Sequence, residues 1–259
     1  MARSSRSMRR RPWRGIVRAA RRLIGPRGQG TQAVPPDFSP EVIATVKAVR
    51  AFTMTSMERL CALIGAVEYV VSAGIPGDIV ECGVWKGGSM MAVALTLLRL
   101  QQADRVLHLF DTFDGMPPAL DADRDLRGDS ASMLLAEHDR DTSLVWAKAS
   151  LEQVRRNIDR TRYPARLVRY IKGRVEDTIP SKAPAEVSLL RLDTDWYEST
   201  KHEMEQLFPR LSPGGVLIID DYGHWQGARK AVDEYLKVAK VRLLLCRIDY
   251  TGRIAVKQS

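Results

Sequence analysis

The chain has 259 residues, is 45% hydrophobic and 27% charged, and carries a formal net charge of +9 and three cysteines. The length fits one large α/β domain, and no apolar run is long enough to span a bilayer. Cys61, Cys82 and Cys246, odd in number and set in apolar surroundings, argue for a reducing, cytoplasmic setting and against a disulfide framework or a zinc site.

The positive charge is local. Residues 1–30 hold ten arginines and no acid, whereas the remainder has 30 basic and 31 acidic residues. The body is therefore nearly neutral, and a nucleic-acid-binding surface is not indicated for it. The arginine segment is not a secretory signal, because arginines interrupt every apolar core. It reads as a solvated, disordered extension; an amphipathic helix over residues 13–24 touching an anionic membrane is the other reading. With the Gly/Pro linker "GTQAVPPDFSP" it makes residues 1–36 an extension and 37–259 the folded domain.

Two helical patterns open that domain, one from the Ser-Pro-Glu start of "SPEVIATVKAVRAF" and one from the Ser/Thr cap of "TSMERLCALIGAVEYVVSAG" to Gly74. Strands are then expected at "DIVECGV", "RVLHLFDT", "ARLVRYIKG", "VSLLRLDT" and "GVLIIDDY", nearly continuous in apolarity, as parallel strands covered on both faces are. Helices fall between them, around 88–102, 148–160, 198–210 and 225–239. The β-α alternation argues for a doubly wound, mostly parallel sheet. "VRLLLCRIDYTGRIAVKQ" reads as a closing hairpin, giving a seven-stranded sheet with an antiparallel last strand. That layout is similar to the Rossmann-like class I methyltransferases. The polar stretch 114–139, inserted after the second strand, has the character of a lid.

"VECGVWKGGSMM" is strand, glycine-rich turn and helix: Gly83 lets the chain turn, Gly87 and Gly88 let a ligand approach, and Ser89 is placed to cap the helix. The spacing departs from G-x-G-x-x-G, and Glu81 discourages a phosphate but suits the cationic end of S-adenosylmethionine. Asp111, ending the second strand, suits ribose hydroxyls. Gly173, Val175 and Glu176, after the third strand, fall near the adenine by position; a solvated loop and helix start is the plainer reading of Glu176.

Four aspartates finish two neighbouring strands: Asp193 and Asp195 in "LRLDTDWYEST", Asp220 and Asp221 in "LIIDDYGHW". Clustered carboxylates repel unless a cation intervenes, and all-oxygen ligands suit a hard dication such as magnesium. Asp193, Asp220 and Asp221 are expected as ligands, the last two together only if the backbone bends, since adjacent strand residues point oppositely. A dication lowers the pKa of a bound hydroxyl. Asp195 is placed to take the proton, with His224 as the alternative base.

Together "DIVECGVWKGGS", "LFDTFDGMPP", "GRVEDTIP", "LLRLDTDWYEST" and "GGVLIIDDYGHWQGARKAVDEY" resemble the macrocin O-methyltransferase family, over about residues 37–258. The resemblance implies S-adenosylmethionine as methyl donor, bound Mg2+, and methylation of a deoxysugar hydroxyl on a glycosylated natural product, an antibiotic-biosynthesis reaction. It implies a donor site from Glu81, Cys82, Gly83, Gly87 and Ser89, from Asp111, Thr112 and Phe113, and bordered by Asp193. The same metal ligands and Asp195 base follow from it, as do homo-oligomers and a closing lid. A catechol-like phenolic acceptor, or a non-catalytic partner protein, is the competing reading.

Overall fold

The computed structural model describes residues 34–258; the arginine-rich segment and the reading of a helix over 13–24 lie outside the described residues. Among the described residues no helix is long and apolar enough to cross a membrane.

Two capped helices come first. In α1 (Pro40–Val49) Ser39 caps by accepting from Val42 N at 3.3 Å, with Pro40 at the first position, where its missing N–H costs nothing. In α2 (Met57–Ser72) Ser56 accepts from Arg59 N at 3.1 Å. Strands β1 (Asp78–Cys82), β2 (Leu107–Asp111), β3 (Val168–Lys172), β4 (Val187–Leu192) and β5 (Leu211–Ile219) pair in parallel, and β7 (Arg253–Val256) enters antiparallel between β5 and β6 (Cys246–Arg247). The seven-stranded order is β3-β2-β1-β4-β5-β7-β6.

Alternate strand residues face opposite layers. Ile79, Leu107, Leu109, Leu189, Val216 and Ile218 pack under α1, α2, α3 (Gly88–Arg99) and α5 (Leu151–Asp159). Val80, Phe110, Leu190, Leu192 and Leu217 pack under α7 (Tyr197–Gln206) and α8 (Gln226–Val238). All six residues of β4 are buried, which explains their unbroken apolarity apart from Ser188 and one arginine, Arg191.

Three boundaries differ from those expected. The fifth strand starts four residues early, at Leu211, and a turn of 3-10 helix takes Ala165–Leu167 ahead of β3. The hairpin's first strand has only two paired residues: Leu243 and Leu245 pack on the core without joining the ladder. The insertion carries a short helix α4 (Ala131–Ala136), and α6 (Val175–Thr178) is a single turn.

Candidate active site

The strand order reverses between β1 and β4, so their carboxyl ends flank the crevice where open α/β sheets bind ligands. Gly83 stands there with φ +81°, and a Cβ on it would overlap the Asp193 carbonyl. Only glycine lets the two strand ends come so close. Gly87, at φ +87°, is itself the N-cap of α3. Ser89 therefore does not cap as expected; it is buried inside the first turn. Gly88 does not open a path for a ligand either: its Cβ would meet the Phe52 backbone at 2.6 Å, so it is a helix-packing residue.

Asp111 ties two loops of this edge together. Its Oδ2 accepts from Val84 N at 2.6 Å and Trp85 N at 3.0 Å, and its Oδ1 from Phe113 N at 2.6 Å. Burial pushes its pKa up, opposed by these main-chain bonds. Thr112 donates to Gly115 O at 2.6 Å, and Phe113 is buried. Gly173 N donates to Asp111 O at 3.0 Å, Val175 is buried, and Glu176 pairs with the exposed Arg174 at 3.1 Å. The Cys82 thiol is fully buried on the α7 side of the sheet, so only its backbone, accepting from Asp193 N at 2.9 Å, reaches the edge.

On the α2 side an arginine network runs through the strand ends. Arg191, 3% exposed, donates to Glu81 at 2.5 Å, Asp193 at 2.7 Å, Asp220 at 2.5 Å and the Thr55 hydroxyl at 3.1 Å. Arg59, from α2, holds the other Asp220 oxygen and Asp249 of the hairpin turn. Glu81 thus faces a guanidinium; burial raises its pKa to about 8 against the pull of Arg191, and its Oε2 has no partner. Both oxygens of Asp220 are taken by arginines, so it stands apart from the acids that converge.

Those acids are Asp193, Asp195 and Asp221, one carboxylate oxygen of each lying within 4.8 Å of the other two. The extended backbone that would align Asp193 with Asp195 ends at Leu192. Asp195 instead sits at φ +66° in a γ-turn closed by Trp196 N donating to Thr194 O at 2.7 Å. A non-glycine residue held there is strained, and Trp85 and Phe113, at φ +46° and +51°, share that condition on the neighbouring loops. Asp220 and Asp221 part as strand geometry dictates, Asp220 to the arginines and Asp221 to Asp195.

Burial pushes Asp195 to about 7 and Asp221 well above the carboxylate range, the latter raised further by the Asp195 charge. Like charges brought together, Asp193 and Asp195 half-buried and Asp221 buried, call for a cation, and Asp221 Oδ2 is buried without a partner, so this donor set fits a hard dication. His224 is buried with its pKa lowered by that burial; its Nδ1 lies 3.4 Å from the Tyr250 hydroxyl and its Nε2 is unpartnered.

The insertion covers this half of the edge. The buried Asp123 carboxylate accepts from Tyr197 N at 2.7 Å and Leu120 N at 2.8 Å, Trp196 Nε1 donates to Pro117 O at 3.1 Å, and Gln226 N donates to Arg124 O at 2.8 Å. Trp196 and Trp225 pack with Ala131 and Leu135 beneath it. Beside it a cavity of about 490 Å³ is lined by Thr112, Met116, Leu135, Trp146 and Arg174 among others.

Four residues of this architecture escaped the sequence reading: Arg59, Arg191, Asp123 and Glu203. Arg191 alone carried a signal, a cation inside a strand buried on both faces, which demands buried partners.

Comparison with known proteins agrees with this layout. The family model for macrocin O-methyltransferase (TylF) matches residues 39–256. The 8-demethyl-8-(2,3-dimethoxy-alpha-L-rhamnosyl)-tetracenomycin-C 4'-O-methyltransferase of Streptomyces olivaceus is 36% identical over 217 residues, 84% of this chain and 80% of the relative. Demethyldecarbamoylnovobiocin O-methyltransferase of Streptomyces niveus is 35% identical over 202 residues, 78% of this chain and 74% of that one. The structure of the O-methyltransferase NovP superposes with a TM-score of 0.71 at 33% identity, covering 80% of this chain and 83% of NovP. A glycine-turned crevice, acids at adjoining strand ends and a match across the whole sheet lead to one assignment: the chain belongs to the macrocin O-methyltransferase family and is an S-adenosylmethionine-dependent O-methyltransferase.

Proposed function

We propose that this enzyme methylates a sugar hydroxyl of a glycosylated natural product, in antibiotic biosynthesis, with a hard dication such as Mg2+ held among its aspartates. The convergence of Asp193, Asp195 and Asp221 around the unpartnered Asp221 oxygen carries the reading. The rhamnosyl substrate in the name of the Streptomyces olivaceus relative supports a sugar as acceptor.

When bound, S-adenosylmethionine supplies an electrophilic methyl group and the dication acidifies the acceptor alcohol. Asp193 and Asp221 are the ligands this arrangement offers directly; Asp220 joins them only where its pair with Arg59 opens. Asp195 takes the hydroxyl proton on a carboxylate oxygen, its γ-turn aiming it at the site between the strand ends. His224 is the weaker base, because it is packed edge-on between Trp225 and Tyr250. Gly83 and the loops tied by Asp111 shape the donor crevice, and Glu81 anchors it through Arg191. The insertion, with Trp196 and Trp225, excludes water from the reacting atoms.

The test is methyl transfer from labelled S-adenosylmethionine to paired glycosides and their aglycones, with Mg2+ or with chelator. Transfer confined to glycosides, lost under chelator and restored by Mg2+, is the expected result. Full activity under chelator removes the dication, and preferential methylation of a phenolic aglycone replaces the acceptor class.

A further inference from the structure

We infer that Glu203 is a positioning residue: from inside α7 it holds the γ-turn that aims Asp195. The inference rests on the proposed role of Asp195 and adds the part that keeps its strained turn in place.

Glu203 is fully buried, yet it makes no ion pair among the described residues. Both of its carboxyl oxygens lie within reach of the Thr194 hydroxyl, at 3.0 and 3.1 Å, and the buried Cys82 thiol of β1 is its other neighbouring donor. Thr194 stands between Asp193 and Asp195, and its carbonyl closes the γ-turn by accepting from Trp196 N at 2.7 Å. The Ser199 hydroxyl, one helical turn before Glu203, lies 3.5 Å from that same carbonyl and 3.2 Å from Trp196 O. The turn is thus gripped from α7 at both its side chain and its main chain, and the Glu203 bond is the shorter grip on Thr194.

A positive φ on Asp195 persists only where surroundings over-determine it. An apolar residue in place of Glu203 would leave the Thr194 hydroxyl without its acceptor and free the turn to relax towards the extended course of β4. That relaxation moves Asp195 away from Asp193 and Asp221 while leaving Gly83, Asp111 and the donor crevice untouched. Burial raises the Glu203 pKa well above the ordinary range, consistent with a neutral acid that a glutamine amide replaces.

The experiment compares Glu203→Gln, Glu203→Met, Thr194→Val and the double variant Thr194→Val/Glu203→Met in the full chain. Mn2+ binding is followed by electron paramagnetic resonance, S-adenosylhomocysteine binding by calorimetry, and exchange of the Trp196 amide by NMR. Glu203→Met and Thr194→Val are each expected to weaken Mn2+ by about 10-fold or more and to speed Trp196 amide exchange. S-adenosylhomocysteine affinity stays within about 3-fold, Glu203→Gln matches the parent, and the double variant is no worse than either single one. Parental Mn2+ binding and Trp196 exchange in Glu203→Met overturns the inference. So does loss of metal and S-adenosylhomocysteine binding together, or a Glu203→Gln variant as impaired as Glu203→Met. If the parent itself binds no Mn2+, the dication reading fails, and the Trp196 amide alone decides the role of Glu203.

Discussion

On the α2 side of the sheet's carboxyl edge, acids and arginines alternate: Glu81, Asp193, Asp220 and Asp249 are stitched together by Arg191 and Arg59. On the α7 side stand Asp195, Asp221, Glu203 and Asp123, with no ion pair among the described residues. Asp220 and Asp221, adjacent in sequence, fall on opposite sides of this divide. The first side is cross-linked by its arginines and serves as scaffold, with Asp193 reaching from it to the acids opposite and only Glu81 Oε2 left buried without a partner among the described residues. The other side differs in having two acids in contact, Asp195 and Asp221, raised by burial and with no arginine bonded to either among the described residues, beside a strained turn, which is how a site prepared for a cation and a proton looks.

The sharpest way to break the comparison is Asp195→Asn. Turnover is expected to fall by roughly 10²–10⁴ with donor affinity retained. Unchanged turnover would move the base to His224 and leave the α7 side without its chemistry. Next comes Arg191→Met, which strands Glu81 and Asp193 and leaves Asp220 with Arg59 alone. Removing one partner of a buried pair costs about 3–5 kcal/mol, to be read from denaturant unfolding. A loss below about 1 kcal/mol would mean the arginine network holds nothing together.

The two sides also differ in how legible they were. The β-α alternation, the crevice at Gly83 and the two aspartate pairs could be read locally, because strand period and strand ends are local properties. A backbone bend is expected to bring Asp220 and Asp221 to one site as ligands; instead they part as strand alternation dictates. What it could not supply was the partner: Arg59 reaches Asp220 across 161 positions. Glu203 lies in "YESTKHEMEQ", where polar residues crowd every face and no period marks the buried one. Ser89 looked like a cap because left-handed Gly87 leaves no side-chain trace of its own capping role. "VRLLLCR" looked like a full strand because leucines that pack on a core and leucines that join a ladder are the same residues.

A smaller effect separates the sides by pH. Burial raises Glu203 above its ordinary 4.5, so the folded chain holds a proton there that the unfolded chain releases. That contribution is full below about pH 4.5 and is lost as pH rises towards the folded value. Replacing Glu203 by glutamine removes it. The stability of Glu203→Gln relative to the parent should therefore climb as pH rises above about 5. A difference in melting temperature that stays flat above about pH 5 would show that Glu203 is ionised in the fold and that the α7 side contains a cation-like partner after all.

The smallest expected effect concerns the cover. Asp123 fastens the insertion to the first residue of α7, two positions beyond Asp195, and its carboxylate presses on Gly227 of α8 so closely that a Cβ there would overlap it. Asp123→Ala gives up the bonds to Tyr197 N and Leu120 N, a loss of about 1–2 kcal/mol by analogy with removed helix caps. The Trp196–Trp225 pair, ring centroids 4.9 Å apart, remains to hold the insertion by apolar contact. The variant should melt slightly earlier and be nicked faster by protease within 114–147, with the rest of the sheet unaffected. Equal proteolysis of variant and parent would assign the closure to the tryptophans alone and make Asp123 a cap for α7 and nothing more.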